Sequence, residues 1–354
     1  MKLPLLALLV CAVLFFQSCS ECEIITTELE SDTLPVTLTC EGTFYASLLT
    51  TFNGSIQERQ FVAFDKPLSN SLAISTLETL QGSSLQNTQS GYCQSAFNSN
   101  TLQYCYAYQF GPGMTNPLYV ANVNPLSSQL FSEEVVYTGP VYNNNSLYAI
   151  NVLTDANFLN YSILRVDETT GQTTELLSGN TTVNSPMQND YVWSATDGTD
   201  TLYFLGTTNL IRYSISSNTV TVTDIDPSYN KTNQVVYSGL EYNKNTQQLL
   251  AIKGNLSNPQ PINELVSIAN NGTITSLYNI SSNLSTENDG MIFYPFHATA
   301  FDPCNNSYYI TELEELEPLN GVSSSFLIEI NLDENILNEQ LIEGLLYGLE
   351  YQEN

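Results

Sequence analysis

The sequence predicts an all-β fold: a β-propeller of six blades, each of four antiparallel strands, with seven blades as the alternative. Three observations predict it. Six segments of the chain can be laid over one another. The full copies carry further β-rich runs behind them. The last copy breaks off at the C-terminus, and strands that could complete it stand near the N-terminus.

The six segments read "YCQSAFNSNTLQYCYAY", "YTGPVYNNNSLYAINV", "YVWSATDGTDTLYFLG", "YSGLEYNKNTQQLLAIK", "FHATAFDPCNNSYYITE" and the truncated "LYGLEYQEN". Each opens on an aromatic residue or Leu: Tyr92, Tyr137, Tyr191, Tyr237, Phe296 and Leu346. Five residues on, a second aromatic stands at Phe97, Tyr142, Tyr242, Phe301 and Tyr351, with Thr196 breaking the column. A turn former follows at Asn98, Asn143, Asp197, Asn243 and Asp302, with Gln352 in the last copy. Asn and Asp accept the backbone angles of tight turns, so each segment reads as strand, turn, strand. The period of roughly 45–60 residues is that of a propeller blade.

The second half of each blade is visible in "NYSILRVDETTGQTTELLSG", "TNLIRYSISSNTVTVTDI", "NELVSIANNGTITSLYNI" and "SSFLIEINLDENILNEQLI", each a pair of β-rich runs around a polar turn. Glu334 to Leu346 has some helical character, but the repeat assigns it to a strand. An open ring would expose strand edges, so closure is expected. "GLEYQEN" would then be the innermost strand of a blade shared between the two chain ends. "FYASLLTTF" supplies its second strand. "FVAFDKPLSNSLAIS" (Phe61 to Ser75), similar to "LYVANVNPLSSQLFS" (Leu118 to Ser132), supplies its outer half.

Ahead of the ring lies a targeting signal. Lys2 is followed by an almost wholly apolar run from Leu3 to Phe16, short for a membrane span and ending in small polar residues. No later run is long and apolar enough to span a membrane. The junction "FFQSCSECE" resembles a bacterial lipoprotein signal, in which the Cys after a small residue, here Cys19 after Ser18, is lipidated. Ser20, Glu21 and Glu23 resemble the export tag of Bacteroidota surface lipoproteins. The chain is thus identified as similar to Bacteroidota-type surface lipoproteins carrying a six-bladed propeller. The turn "FDPCNNSYYIT" resembles those of YVTN/TolB-like propellers. The resemblance implies residues 1–18 as signal, 19–42 as anchor and linker, and 43–354 as propeller. It also implies an outer-membrane lipid anchor with surface display, secretion being the alternative. It implies no activity.

Export fits the cysteines. "YCQSAFNSNTLQYCY" has a turn centred near Ser99, with Cys93 and Cys105 each six residues away, so a Cys93–Cys105 disulfide across the hairpin is expected in an oxidising compartment. The competing account is two buried free thiols. Cys22 with Cys40 is a weaker second pair, leaving Cys304 over.

Composition excludes several functions. Lys and Arg total 8 against 36 Asp and Glu, a net charge of -28. There are too few cations for a nucleic-acid or anionic-membrane surface, so membrane contact is expected only through the lipid anchor. His297 is the one histidine, which rules out a three-His metal site, and no P-loop, GxGxxG or GxSxG is present. The overlay puts His297 near the start of an innermost strand, either at the channel mouth or as a hydrogen-bonded structural residue. Glu312, Glu314 and Glu315, with Glu317, lie in a variable loop between second and third strands. They are candidate ligand or Ca2+ contacts, or simply a solvated acidic loop. "FGPGMTNP", "LTDANFLN" and "GNLSNPQPI" read as further long loops on that side, and "GTTN" as a short one. Variation on one face of a repeat fold is where binding usually sits. Abundant Tyr and Asn suit sugar rings, although the aligned Tyr column also reads as blade packing. The ten Asn-x-Ser/Thr sequons carry no weight in a chain so rich in these residues.

The expected function is therefore a surface-anchored binding module for a glycan or protein. No cofactor is expected, though Ca2+ is possible. A Ca2+-dependent propeller hydrolase or lactonase and a structural part of a cell-surface assembly are the alternatives.

Overall fold

In the computed structural model, residues 40–353 are described except for the connections 53–54, 66–72, 81–91, 110–117, 132–136, 156–157, 183–191, 207–208, 226–234, 256–263, 284–297 and 314–323. All regular structure among the described residues is β. It forms six four-stranded antiparallel sheets. Blade 1 has the order β24-β1-β2-β3, and the chain ends meet in it. Its innermost strand is β24 (Leu345–Glu353), followed by β1 (Gly42–Phe52), β2 (Ser55–Asp65) and β3 (Ser75–Leu80). The other blades run in chain order outward from innermost strands β4 (Tyr92–Asn98), β8 (Thr138–Asn143), β12 (Trp193–Thr196), β16 (Val235–Asn243) and β20 (Thr299–Asp302). These lead blades 2 to 6. The truncated last segment is completed by N-terminal strands as the repeat required, with Gly42 opposite Glu353 and Leu49 opposite Leu345. Six blades, not seven, make the ring.

Each blade alone is a thin sheet with apolar faces, so the core lies in the seams. Six buried clusters fill six seams. In one, Ala96, Cys105 and Val120 of blade 2 pack on Tyr137, Leu147 and Leu164 of blade 3. In another, Phe44, Phe64 and Leu346 of blade 1 pack on Tyr309, Leu327 and Ile342 of blade 6. The seam between blades 1 and 2 is aromatic, with Phe61 stacked 4.8 Å from Tyr104. Where its side chains are described, the first column of the repeat belongs to these cores: Tyr137, Tyr237 and Leu346 are buried.

Four of the five Asn/Asp residues in that column cap the turns after the innermost strands. Asp197 Oδ1 accepts from the backbone N–H groups of Thr199, Asp200 and Thr201 at 2.8, 2.9 and 3.0 Å. Asn98, Asn243 and Asp302 do the same two and three residues on. These side chains supply the acceptors that a four-residue turn leaves wanting.

Two sequence expectations are corrected. The Cys93–Cys105 disulfide does not form. Cys93 is paired with Tyr108, and Cys105 with Ala96, because the turn is centred between Asn100 and Thr101 rather than at Ser99. A shift of one and a half residues in the centre moves the partner by three. Cys105 is a buried free thiol. The disulfide is Cys40–Cys304, with Cα atoms 5.8 Å apart and 264 residues between them in sequence. It joins the residue ahead of β1 to the capped turn of blade 6, which replaces the expected pairing of Cys40 with Cys22. Second, "LTDANFLN" is mostly strand: β9 (Ser146–Asp155) and β10 (Phe158–Val166) are separated by residues 156–157 alone.

Candidate functional site: the central channel

The innermost strands enclose a cavity of about 200 Å³. Its lining follows from the repeat. Three blades carry a Gly at the third aligned position, and three do not. In β8, β16 and β24 that Gly takes a left-handed conformation, with φ +58° at Gly139, +63° at Gly239 and +58° at Gly348. In each case Gly and the residue after it stand opposite one alanine (Ala149, Ala251 or Ala46), which is a β-bulge. The residue after the bulge is Val141, Glu241 or Glu350, and all three line the channel. The alternate strands β4, β12 and β20 pair with their neighbours without a bulge and place Ser95, Ser194 and Thr299 in the lining.

The ring is therefore three pairs of blades. Ser95 Oγ of blade 2 donates to Glu350 Oε1 of blade 1 at 2.6 Å. Thr299 Oγ1 of blade 6 donates to Glu241 Oε1 of blade 5 at 2.8 Å. Ser194 Oγ of blade 4 donates to the Pro140 carbonyl of blade 3 at 2.7 Å. Behind the two glutamates, the bulge carbonyls are also held alike. Tyr104 donates to Gly348 O at 2.7 Å, and Tyr308 donates to Gly239 O. The third pair has Leu202 at the matching place in its second strand, beside Thr196. Gln94 ties three blades. Its side-chain oxygen accepts from Thr138 Oγ1 at 2.9 Å and from Gly139 N, while its amide donates to Val192 O.

Burial dominates the electrostatics. It pushes Glu350 up to about 8, against the hydrogen bonds from Ser95 and the Phe97 backbone, which favour the charged form. Burial raises Glu241 well above the usual carboxylate range. The negative charge of Glu350 raises it further, and the Thr299 hydroxyl opposes the shift. No Lys, Arg or His is among the described lining residues. The channel thus holds two carboxyls that burial makes harder to ionise, among hydroxyls, an amide and the aromatic rings of Phe97, Tyr142, Trp193 and Tyr242. It can donate and accept hydrogen bonds. Among the described residues no three His, Cys, Asp or Glu side chains are grouped to hold a metal ion.

The residues singled out from sequence fall elsewhere. Cys19, His297, Glu314 and Glu315 lie outside the described residues. Glu312 is placed only as backbone, near the end of β21 (Ser307–Leu313). Cys93 and Cys105 sit on adjacent strands as above. Sequence reasoning missed Glu241 and Glu350, although both lie in the repeated "GLEY". The available signal was their column: Ala96, Val141, Ala195 and Ala300 fill it elsewhere. A column otherwise reserved for small or apolar side chains faces a confined space, and an acid there is out of pattern.

No protein-family model matches the chain, and no curated relative matches it. Solved structures do. TolB from Acinetobacter baumannii superposes with a TM-score of 0.56 at 10% identity, covering 88% of this chain and 66% of the TolB chain. A protein of unknown function from Bacteroides thetaiotaomicron gives 0.49 at 11% identity, covering 86% and 82%. An oligogalacturonate lyase in complex with manganese gives 0.41 at 11%, covering 83% and 77%. The likeness is one of fold: a six-bladed propeller with TolB-like structural neighbours.

Proposed function

We propose that the chain is an exported propeller, anchored through lipid on Cys19 and displayed at the cell surface, that binds a glycan or protein ligand without catalysis. One observation carries the non-catalytic reading. The hydroxyls of Ser95, Ser194 and Thr299 and the amide of Gln94 are spent on neighbouring blades, not held ready for a substrate. A hydrolase or lactonase would need a base, a nucleophile or a metal-held water in the channel.

Recognition then falls to the connections at the blade ends opposite the capped turns. Between second and third strands these run from 156–157 alone to the stretch 314–323, which contains Glu314 and Glu315. The chain enters the ring at Cys40 on the capped-turn side, where Gly42 pairs with Glu353.

The test is a glycan-array and surface-protein binding screen with the purified mature chain, run beside ester and lactone turnover assays with and without added Ca2+. Binding with no turnover is expected. Ca2+-dependent turnover would overturn the reading in favour of the enzyme. Mass spectrometry of the mature N-terminus checks the anchor: a diacylated or triacylated Cys19 is expected, and an unmodified terminus at or beyond Ser20 refutes it.

A further inference from the structure

The seam between blades 3 and 4 shows that this ring closes without an acid. Val141 takes the channel position there, and Ser194 is satisfied by a backbone carbonyl. Two other seams place carboxyls at the same position, each accepting a hydroxyl from the next blade. Packing alone therefore does not call for Glu241 and Glu350.

We propose that Glu241 and Glu350 are a proton-operated lock on the ring: closed while both carboxyls keep their protons, and loosened at the blade 1–2 and blade 5–6 seams when a rise in pH removes them. The step is a plain proton transfer, in which the carboxyl O–H bond breaks and hydroxide or buffer base in the channel takes the proton. What remains is two like charges in a confined space with no cation among the described lining groups.

The groups facing the pair support this. From β4 come Gln94, Ser95 and Phe97, from β8 Tyr142, from β12 Trp193, Ser194 and Thr196, from β16 Tyr242, and from β20 Thr299. Behind Glu350 lies Cys105, whose thiol is raised first by burial and then by that carboxyl. Behind Glu241 lies Tyr308, raised in the same way. Among the described residues each of these titratable neighbours is an acid, and none can balance a carboxylate. The sign is fixed by the direction of the shifts. A folded-state value above the unfolded one means the ring binds more protons than the unfolded chain, so stability is full below about pH 4.5. It drains away as pH climbs, up to about 8 for Glu350.

Thermal unfolding of the mature chain between pH 5 and 9, for the wild type, Glu241→Gln, Glu350→Gln and the double variant, tests the lock. The overall negative charge also lowers stability as pH rises, so the variants isolate the pair. The wild type is expected to lose roughly 5–10 °C more than the double variant across that range. Equal slopes would overturn the proposal. Should the variants fail to fold, the wild type answers through the carboxyl 13C shifts of labelled glutamate. Two resonances still protonated at pH 6.5 support the lock, and all glutamates titrating near pH 4–5 refute it.

Discussion

The seam between blades 1 and 2 and the seam between blades 3 and 4 solve one problem in two ways. Both have a left-handed Gly, a bulge over an alanine and a hydroxyl donated from the next blade. Only the first adds a carboxyl and a tyrosine that holds the bulge carbonyl. The seam between blades 5 and 6 repeats the first in both respects. The constant part is the backbone. Which side chain follows the bulge is free to vary, so glutamate at two places out of three is an addition to the fold rather than a condition of it.

Substituting the glycines should separate the two solutions most sharply. A Cβ on Gly348 would stand 2.6 Å from Tyr104 Oη and 2.6 Å from the Tyr106 ring. On Gly139 the nearest atom is Val192 O at 3.2 Å. Both positions share the left-handed penalty of about 1–2 kcal/mol, but only the first adds a clash with buried rings. Gly348→Ala should cost about 3–5 kcal/mol and Gly139→Ala about 1–2 kcal/mol in chemical denaturation. Equal losses would mean that the rings behind Gly348 yield easily.

Making the plain seam resemble the others comes next. Val141→Glu puts a carboxyl where Ser194 is already committed to Pro140 O and where Leu202 supplies no hydroxyl behind it. A loss of about 2–4 kcal/mol at pH 7, smaller at pH 5, is expected. The reverse change, Tyr308→Phe, should cost about 1–2 kcal/mol by leaving Gly239 O short of its donor. The same deletion at Tyr104 should match it. A large difference between the two would break the equivalence of the seams.

The blade count, the closing strand and the turn caps were legible because each rests on local chemistry that recurs from blade to blade. Asn98, Asp197, Asn243 and Asp302 can be aligned by eye and act alike. The disulfides were not legible. Cys93 and Cys105 invite pairing, but the register depends on where the turn sits, and Leu102 in a left-handed conformation places it later than symmetry about Ser99 assumes. Cys40 and Cys304 meet only because the ring closes, which no local pattern encodes. The channel acids were in plain view as part of a repeat. Which face they took depended on bulges that shift the alternation of side chains at one glycine, and period-2 reasoning does not carry across a bulge.

The Cys40–Cys304 bond also sets how the molecule bears load. A pull on the segment ahead of the ring would otherwise run straight into β1, held between β24 and β2 by hydrogen bonds that resist sliding only together. With the bond in place, tension arriving at Cys40 is shared between β1 and the turn of blade 6. A load applied ahead of Cys40 is thereby borne by two blade edges at once rather than by β1 alone.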